Sequence, residues 1–375
     1  MTVKRVIFPF VGGKIGGSHI SAFALGQALQ KEHGVEIVVA APADSLIAKV
    51  ASEAGFTVWP LAEKPVVRHW PLAELWLLLK RLRQLSKQPA YTIVHCNDIA
   101  ALQSWGPAAR LLGLPVVYHS RALNRNVLPN LIVIGLAHII ICISQSVEDH
   151  LPIRLRRRSV RIDDPFIITP PADPAGIRKG LFAKWDVTDD GPLIGFVGNF
   201  VNRKRPRFFL EMARELLKEH ASARFVFFGR EVDDTEEDLR TFAKELGIAD
   251  RVIFAGFQFP VENNIAVLDV LAIPALNEPL GRTPIEALLI GTPYVACDDA
   301  GLAETGRRFG GGRLVPANAT PGEFAREVGS ILTQPLRTMN FDAARERART
   351  ELSASHHGDM VMKAYREMLG LTQRI

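Results

Sequence analysis

Residues 270–297, VLAIPALNEPLGRTPIEALLIGTPYVAC, leave this chain few folds to choose from. The apolar run 270–273 reads as a buried strand, and the loop after it carries Glu278 and Gly281. A helix start is then expected at a capping box formed by Thr283 and Glu286, with Pro284 at the first helical position. Gly291 ends that helix, and Thr292-Pro293 leads into a second apolar strand. Strand, loop, helix and strand make a βαβ unit, whose two strands must lie parallel in one sheet. In such sheets ligands sit beyond the carboxyl ends of the strands, where residues 277–282 fall, and the free amides of a helix start suit a phosphate.

The same grammar runs through both halves. In the first, strands are expected at 3–10, 35–40, 58–61, 92–96, 116–118 and 139–143, with helices over 18–31, 72–87 and 100–112 between them. Strand and helix alternating in this way predict a mostly parallel sheet covered on both faces. The pattern breaks over 162–191, where proline, glycine and aspartate gather, and restarts at residue 193. The expected organisation is therefore a first domain over 1–165, a linker over 166–191, a second domain over 192–353, and a terminal helical segment over 354–375 that crosses back to the first. Both domains are expected to be α/β, Rossmann-like and doubly wound. With 375 residues, 47% hydrophobic and 23% charged, there is material for two soluble domains, and no apolar run is long enough to span a bilayer. The start of the chain enters a strand without the pattern of a signal peptide, so a cytoplasmic location is expected. Cys96, Cys142 and Cys297 lie far apart inside apolar runs, which suggests core residues and neither disulfides nor a zinc site.

Several loops carry chemistry. Residues 11–17, VGGKIGG, form a glycine-rich turn before a helix, where backbone amides can approach a phosphate. Ser18 and His19 stand where a Walker loop needs lysine and a hydroxyl residue, and Ala40-Ala41-Pro42 lacks the acidic residue of a dinucleotide site. His95 and Asp98 follow one strand, His119 and Arg121 another, all on the ligand side. Arg203, Lys204 and Arg205 fill a loop between strand and helix, a candidate diphosphate clamp. An unliganded turn, a hydrogen-bonded structural histidine and an ordinary basic surface loop are the plain alternatives. Two further cationic stretches, 68–83 with its tryptophans and 154–161, suit an anionic membrane surface, and solvated faces are the alternative. A net charge of +5 fits anionic substrates or lipid without deciding between them.

The run Glu278-Pro279-Leu280-Gly281-Arg282-Thr283-Pro284-Ile285-Glu286-Ala287 resembles the signature of retaining glycosyltransferases of family four, Glu-Gly/Pro-Phe-Gly-x-x-x-x-Glu-Ala. The resemblance extends over essentially the whole chain and is strongest between residues 193 and 316. It implies a GT-B fold, two Rossmann-like domains facing across a cleft, and transfer of a sugar from a nucleotide-diphosphate sugar with no metal or other cofactor. Lys204 stands at the family's lysine, a catalytic position, while Asn199 replaces its arginine and Arg205 its glycine, so that Arg203 or Arg205 would supply the missing charge. The resemblance further places Glu278 on the sugar hydroxyls, Glu286 on the ribose, and His119 against the transferred sugar. Gly16, Gly17, Leu280, Gly281 and Arg282 would line the donor, with Phe257 and Gln258 at its base. His95, Asp98 and Arg121 are weaker candidates for the acceptor, which would be a glycan or a lipid-linked saccharide in cell-surface polysaccharide or lipopolysaccharide synthesis. Asp164-Pro165 stands where the family has an Asn-Gly or Asn-Pro turn. A nucleotide-sugar epimerase and a silent nucleotide-sugar-binding scaffold are the rival readings. A nucleic-acid partner is disfavoured, because the basic residues are scattered and form no recognisable module.

Overall fold

Strand and helix alternate through two sheets, and every strand pairing in both is parallel. The computed structural model describes residues 2–12, 15–61, 71–123, 128–188, 190–333 and 341–371, with backbone alone over 71–75. The chain divides into two compact units, residues 1–167 with 351–375 and residues 168–350.

The first unit holds strands β1 (Arg5–Pro9), β2 (Glu36–Pro42), β3 (Thr57–Leu61), β4 (Thr92–Cys96), β5 (Val116–Ser120), β6 (Ile139–Cys142) and β7 (Ser159–Arg161) in the order β3-β2-β1-β4-β5-β6-β7. Helices α1 (Gly17–His33), α2 (Leu46–Glu53), α3 (Pro71–Leu85), α4 (Ile99–Leu111), α5 (Leu128–Ile134), α6 (Gln145–Asp149) and α7 (Ile153–Arg156) connect them. All five residues of β4 and of β5 are buried, as a sheet covered on both faces requires. Both are largely apolar, with Thr92 and Ser120 at their ends and His95 and His119 inside them, the histidines having partners described below. The order reverses between β1 and β4, so the loops leaving these two strands border the crevice at the switch point.

The second unit repeats the plan with β8 (Leu193–Val197), β9 (Arg224–Phe228), β10 (Val252–Phe254), β11 (Val270–Ile273), β12 (Tyr294–Asp298) and β13 (Gly312–Pro316), ordered β10-β9-β8-β11-β12-β13. Its helices are α8 (Pro174–Trp185), α9 (Pro206–Leu216), α10 (Glu236–Glu245), α11 (Val261–Ala266), α12 (Arg282–Ile290), α13 (Ala300–Phe309), α14 (Pro321–Thr333) and α15 (Phe341–Glu351). On α9, Phe208, Phe209, Met212, Ala213 and Leu216 recur at helical spacing and form the buried stripe. They meet a phenylalanine cluster in which Phe227 stacks on Phe254 at 5.0 Å and meets Phe209 edge-on at 4.9 Å. Here the switch point lies between β8 and β11.

The last helix, α16 (Ala354–Met368), belongs to the first unit and packs on α1. Small residues allow the approach, since a Cβ on Gly358 would stand 2.8 Å from the Cβ of Ala28. Val361, Met362 and Tyr365 of α16 join the core of that unit. The 166–191 stretch contains α8 and falls almost wholly within the second unit. Arg68, His69 and Trp70 lie outside the described residues, as do Gly13 and Lys14 of the glycine loop.

Candidate functional site

Loops leaving β8 and β11, the strands that flank the switch point of the second unit, carry Lys204 and Glu278. Gly198 begins the first loop with φ 146°, a backbone region open to glycine, and a Cβ there would lie 2.8 Å from Cδ and 2.9 Å from Nζ of Lys204. The lysine arm thus passes directly over this glycine. Leu276 donates its N–H to the Arg203 carbonyl at 2.8 Å, which stitches the two loops together. Lys204 Nζ reaches Glu278 Oε1 at 3.1 Å, and the guanidinium of Arg203 pairs with the same oxygen. Arg205 goes elsewhere. It adopts the left-handed region at φ 55°, lays its guanidinium 3.9 Å from the Phe208 ring centre and donates to the Pro274 carbonyl at 3.4 Å. Asn199 is exposed. Of the two arginines the sequence left open, Arg203 is the one beside Lys204.

The Glu278 loop is held from behind by the start of α13. Asn277 donates its N–H to Asp299 at 2.5 Å, Gly301 donates to the Glu278 carbonyl at 2.9 Å, and Thr305 donates its hydroxyl to the Leu280 carbonyl at 2.9 Å. Leu280 itself is buried. The expected capping box does not form. α12 begins two residues earlier than expected, at Arg282, and its cap is Gly281 at φ 74° with no side-chain cap. A Cβ on Gly281 would meet the Gly301 carbonyl oxygen at 3.1 Å, so the close passage of α13 selects the cap and Thr283 is drawn into the helix. Pro284 becomes the third helical residue, which still needs no N–H partner within the helix. Glu286, freed from capping, pairs with Arg282 at 3.3 Å, one turn away. The start of α12 and the cations of the neighbouring loop stand together past the carboxyl ends of β8 and β11, an arrangement that stabilises added negative charge.

Past β9 and β10, Arg230 lies 3.8 Å over the ring of Phe257, which is 56% exposed. A flat, cation-backed aromatic of this kind can stack on a planar ligand. Gln258 is tied into its own turn through the Ala255 carbonyl at 3.0 Å.

In the first unit, Gly16 and Gly17 are exposed at the start of α1. His19, which the sequence reading passed over, accepts the Gly16 N–H at 3.2 Å and stacks on Phe10 at 5.1 Å. Its pKa is lowered chiefly by burial, with Asp98 pulling it up and Arg121 pushing it down, so all three share one end of the sheet. A histidine just inside a helix that follows a glycine loop was the available signal. Asp98 caps α4 by accepting the Ala101 N–H at 2.7 Å.

His119 is fully buried, and so is His95. Arg121, which can only donate, lies 3.1 Å from His119 Nδ1, so that nitrogen accepts and the ring proton sits on Nε2. His95 Nε2, 3.2 Å away, must then donate to the same nitrogen, leaving His95 Nδ1 to accept the Tyr365 hydroxyl at 2.5 Å. Arg121 also donates to Asp164 at 2.9 and 3.2 Å and to Asn97 at 2.8 Å. Its side chain is 6% exposed and that of Asp164 4%. His357 stands 2.6 Å from the Asp163 carbonyl and so donates through Nδ1. His119 Nε2, His357 Nε2 and the Asp164 carboxylate lie within 4.8 Å of one another, close enough for a shared ion. The donor set does not suit one: His119 Nε2 carries the proton, and Arg121 already neutralises Asp164. These contacts fasten α16 and Arg121 to the central strands.

Burial, reinforced by Arg121 and by neighbouring imidazoles, holds His95 and His119 well below the ordinary histidine range, and burial pushes His357 down to about 4. The unfolded chain binds these protons near 6.5 while the native one does not, so stability is full above that pH and falls as the pH drops toward about 4. For His357 alone the loss is on the order of 3 kcal/mol. Urea titrations across this range are expected to show a shallower pH dependence in His357→Gln than in the wild type; equal slopes would contradict the assignment.

Comparison with known proteins agrees with the fold. The family described as Glycosyltransferase Family 4 matches residues 15–163, and that described as Glycosyl transferases group 1 matches residues 178–349. The chain is 32% identical over 190 residues to a 2-deoxystreptamine glucosyltransferase of Streptomyces kanamyceticus, covering 48% of this chain and 47% of that protein. Against this relative it therefore spans about half the length. An alpha-D-kanosaminyltransferase of the same organism is 25% identical over 323 residues, 78% of this chain and 81% of that one. Among solved structures, Anabaena HepE in complex with UDP and glucose superposes with a TM-score of 0.78 at 20% identity, covering 96% of this chain and 98% of that one, which shows a common fold. Each unit is an α/β domain of Rossmann type, and together they make a GT-B fold. With one family description over each unit and glycosyltransferases among its curated relatives, the chain belongs to the glycosyltransferases of the family-four type.

Proposed function

We propose that this protein is a retaining glycosyltransferase that takes a nucleotide-diphosphate sugar in its second unit and needs no metal. The observation that carries the reading is the pairing of Lys204 and Arg203 with Glu278 at the switch point of that unit, beside the start of α12. Breaking the anomeric bond leaves added negative charge on the diphosphate, and preorganised cations and amides lower the barrier by meeting that charge as it forms. Lys204 and Arg203 serve the diphosphate, Arg203 replacing the arginine that Asn199 displaces. Glu286 takes the ribose hydroxyls, Glu278 the sugar hydroxyls, and the Phe257 ring under Arg230 receives the base. The UDP bound by HepE makes a uridine donor the first to try. Retention would follow departure and attack on one face of the sugar, as the family resemblance implies. In the first unit, Gly16 and Gly17 serve the donor, and His19 and Arg121 lie at the end of the sheet that serves the acceptor, a glycan or lipid-linked saccharide of cell-surface polysaccharide synthesis. His119, buried behind Arg121, acts there by fixing that arginine.

Incubation with radiolabelled UDP-sugars and a panel of glycan and lipid-linked acceptors tests the reading. Label on an acceptor supports it. An epimerised donor supports the rival isomerase, and binding without turnover supports the scaffold.

A membrane-bound acceptor is favoured by exposed apolar residues beside cations in the first unit. Trp76 on α3 is 55% exposed with Lys80 Nζ 4.8 Å from its ring, and Leu128 and Ile132 of α5 and Ile153 of α7 are also exposed, the last next to Arg154 and Arg156. Among the described residues no helix is long and apolar enough to cross a membrane. Flotation with phosphatidylglycerol vesicles should carry the protein upward, and Trp76→Ser together with Leu79→Ser should weaken this severalfold. Equal recovery with neutral phosphatidylcholine vesicles would sink the membrane reading.

A further inference from the structure

Glu278 does more in this structure than wait for a sugar hydroxyl. Lys204 Nζ stands 3.1 Å from its Oε1 and the Arg203 guanidinium pairs with the same oxygen, contacts of charge without hydrogen-bond geometry, so both candidate diphosphate cations neighbour one carboxylate. The carboxylate is mostly buried, at 12% side-chain exposure, which keeps its charge from being screened away. Its backbone has little freedom to withdraw, because Asp299, Gly301 and Thr305 hold residues 277, 278 and 280. The cations are also constrained, since the Lys204 arm crosses Gly198 and the Arg203 carbonyl is tied to Leu276.

A diphosphate that reaches Lys204 and Arg203 must therefore share them with a fixed negative charge a few ångströms away. We propose that Glu278 is a built-in competitor for the diphosphate: it weakens the hold of the site on the nucleoside diphosphate and so speeds departure of that product once the sugar has gone. The inference rests on the donor-site reading above. With the sugar present, the same carboxylate is repaid by the sugar hydroxyls. Without the sugar, only the repulsion remains. The site thus discriminates between the donor and the nucleoside diphosphate, which share a base, a ribose and a diphosphate.

The sign of the effect makes this testable. A residue that merely supports the site would weaken all ligands when changed; a competitor strengthens the product when its charge is removed. Titration calorimetry of UDP, GDP and ADP is expected to show Glu278→Gln binding the nucleoside diphosphate taken by the wild type about tenfold more tightly. With Lys204→Ala already in place, adding Glu278→Gln should bring much less gain, because the shared cation is gone. In single-turnover and steady-state measurements, the same variant should lose transfer while product release slows. Glu278→Ala, with melting curves to confirm folding, should change product affinity in the same direction and guards against an effect peculiar to the amide. Unchanged or weaker diphosphate binding in folded Glu278→Gln and Glu278→Ala overturns the proposal and leaves the donor site standing. If the wild type binds none of the three, the donor-site reading fails and takes this inference with it.

Discussion

Lys204→Ala is expected to lower kcat/KM for the donor by roughly 10²- to 10³-fold, the loss typical of removing one preorganised group that meets charge in a transition state. The lysine is not interchangeable with its neighbours. Its arm is laid across Gly198, where any side chain would collide with it, and its ammonium ends at the crevice between the β8 and β11 loops. Arg203 stays beside Glu278 after the change, but it is 45% exposed and more loosely held. Arg205 cannot swing in without giving up Phe208 and the Pro274 carbonyl. The melting temperature should move little, because Glu278 keeps a cationic partner. Steady-state kinetics with the active donor checks this, and a loss below about threefold would place the diphosphate elsewhere.

Asp164→Ala is expected to destabilise the first unit by about 3–5 kcal/mol, the usual cost of stranding one member of a buried ion pair. Arg121 would lose both of its carboxylate contacts while its side chain, 6% exposed, remains buried beside His119 and Asn97. Asp164→Asn keeps an acceptor oxygen in place and should cost distinctly less. The contrast separates loss of charge compensation from loss of shape. Chemical denaturation of the two variants checks the order, and equal destabilisation would show that Arg121 is not held by charge. Because the pair secures the neutral imidazoles as well, Asp164→Ala should also loosen α16, read as faster amide exchange over residues 354–368.

The parallel sheets and the switch-point loops were legible in the sequence, since apolar runs, helix stops and glycine turns are local signals. So was the place of 277–282 past the end of β11. The start of α12 was not, because local grammar favoured Thr283 as its cap while the passage of α13 past Gly281 decided otherwise. That contact joins residues twenty positions apart, and no capping rule contains it. The choice between Arg203 and Arg205 was likewise invisible: it turns on the left-handed backbone at Arg205, which a string of three cations does not announce. The histidine network lay furthest from view. His95 meets Tyr365 across 270 residues, and His357 meets Asp163 across 194. Read singly, each of these is an ordinary polar residue in an apolar run or a terminal helix. Arg121 was picked out for its place beyond β5, yet what makes it rigid is Asp164, noted in the sequence only as an unusual turn residue.

The measurement that bears most directly on the account is calorimetry of UDP, GDP and ADP with the wild type, Lys204→Ala and Glu286→Gln. The account predicts that one nucleoside diphosphate binds the wild type, that Lys204→Ala weakens this binding strongly, and that Glu286→Gln weakens it through the ribose. Absence of binding by every nucleotide to the folded wild type, or binding unaffected by Lys204→Ala, would contradict a donor site at the β8–β11 crevice.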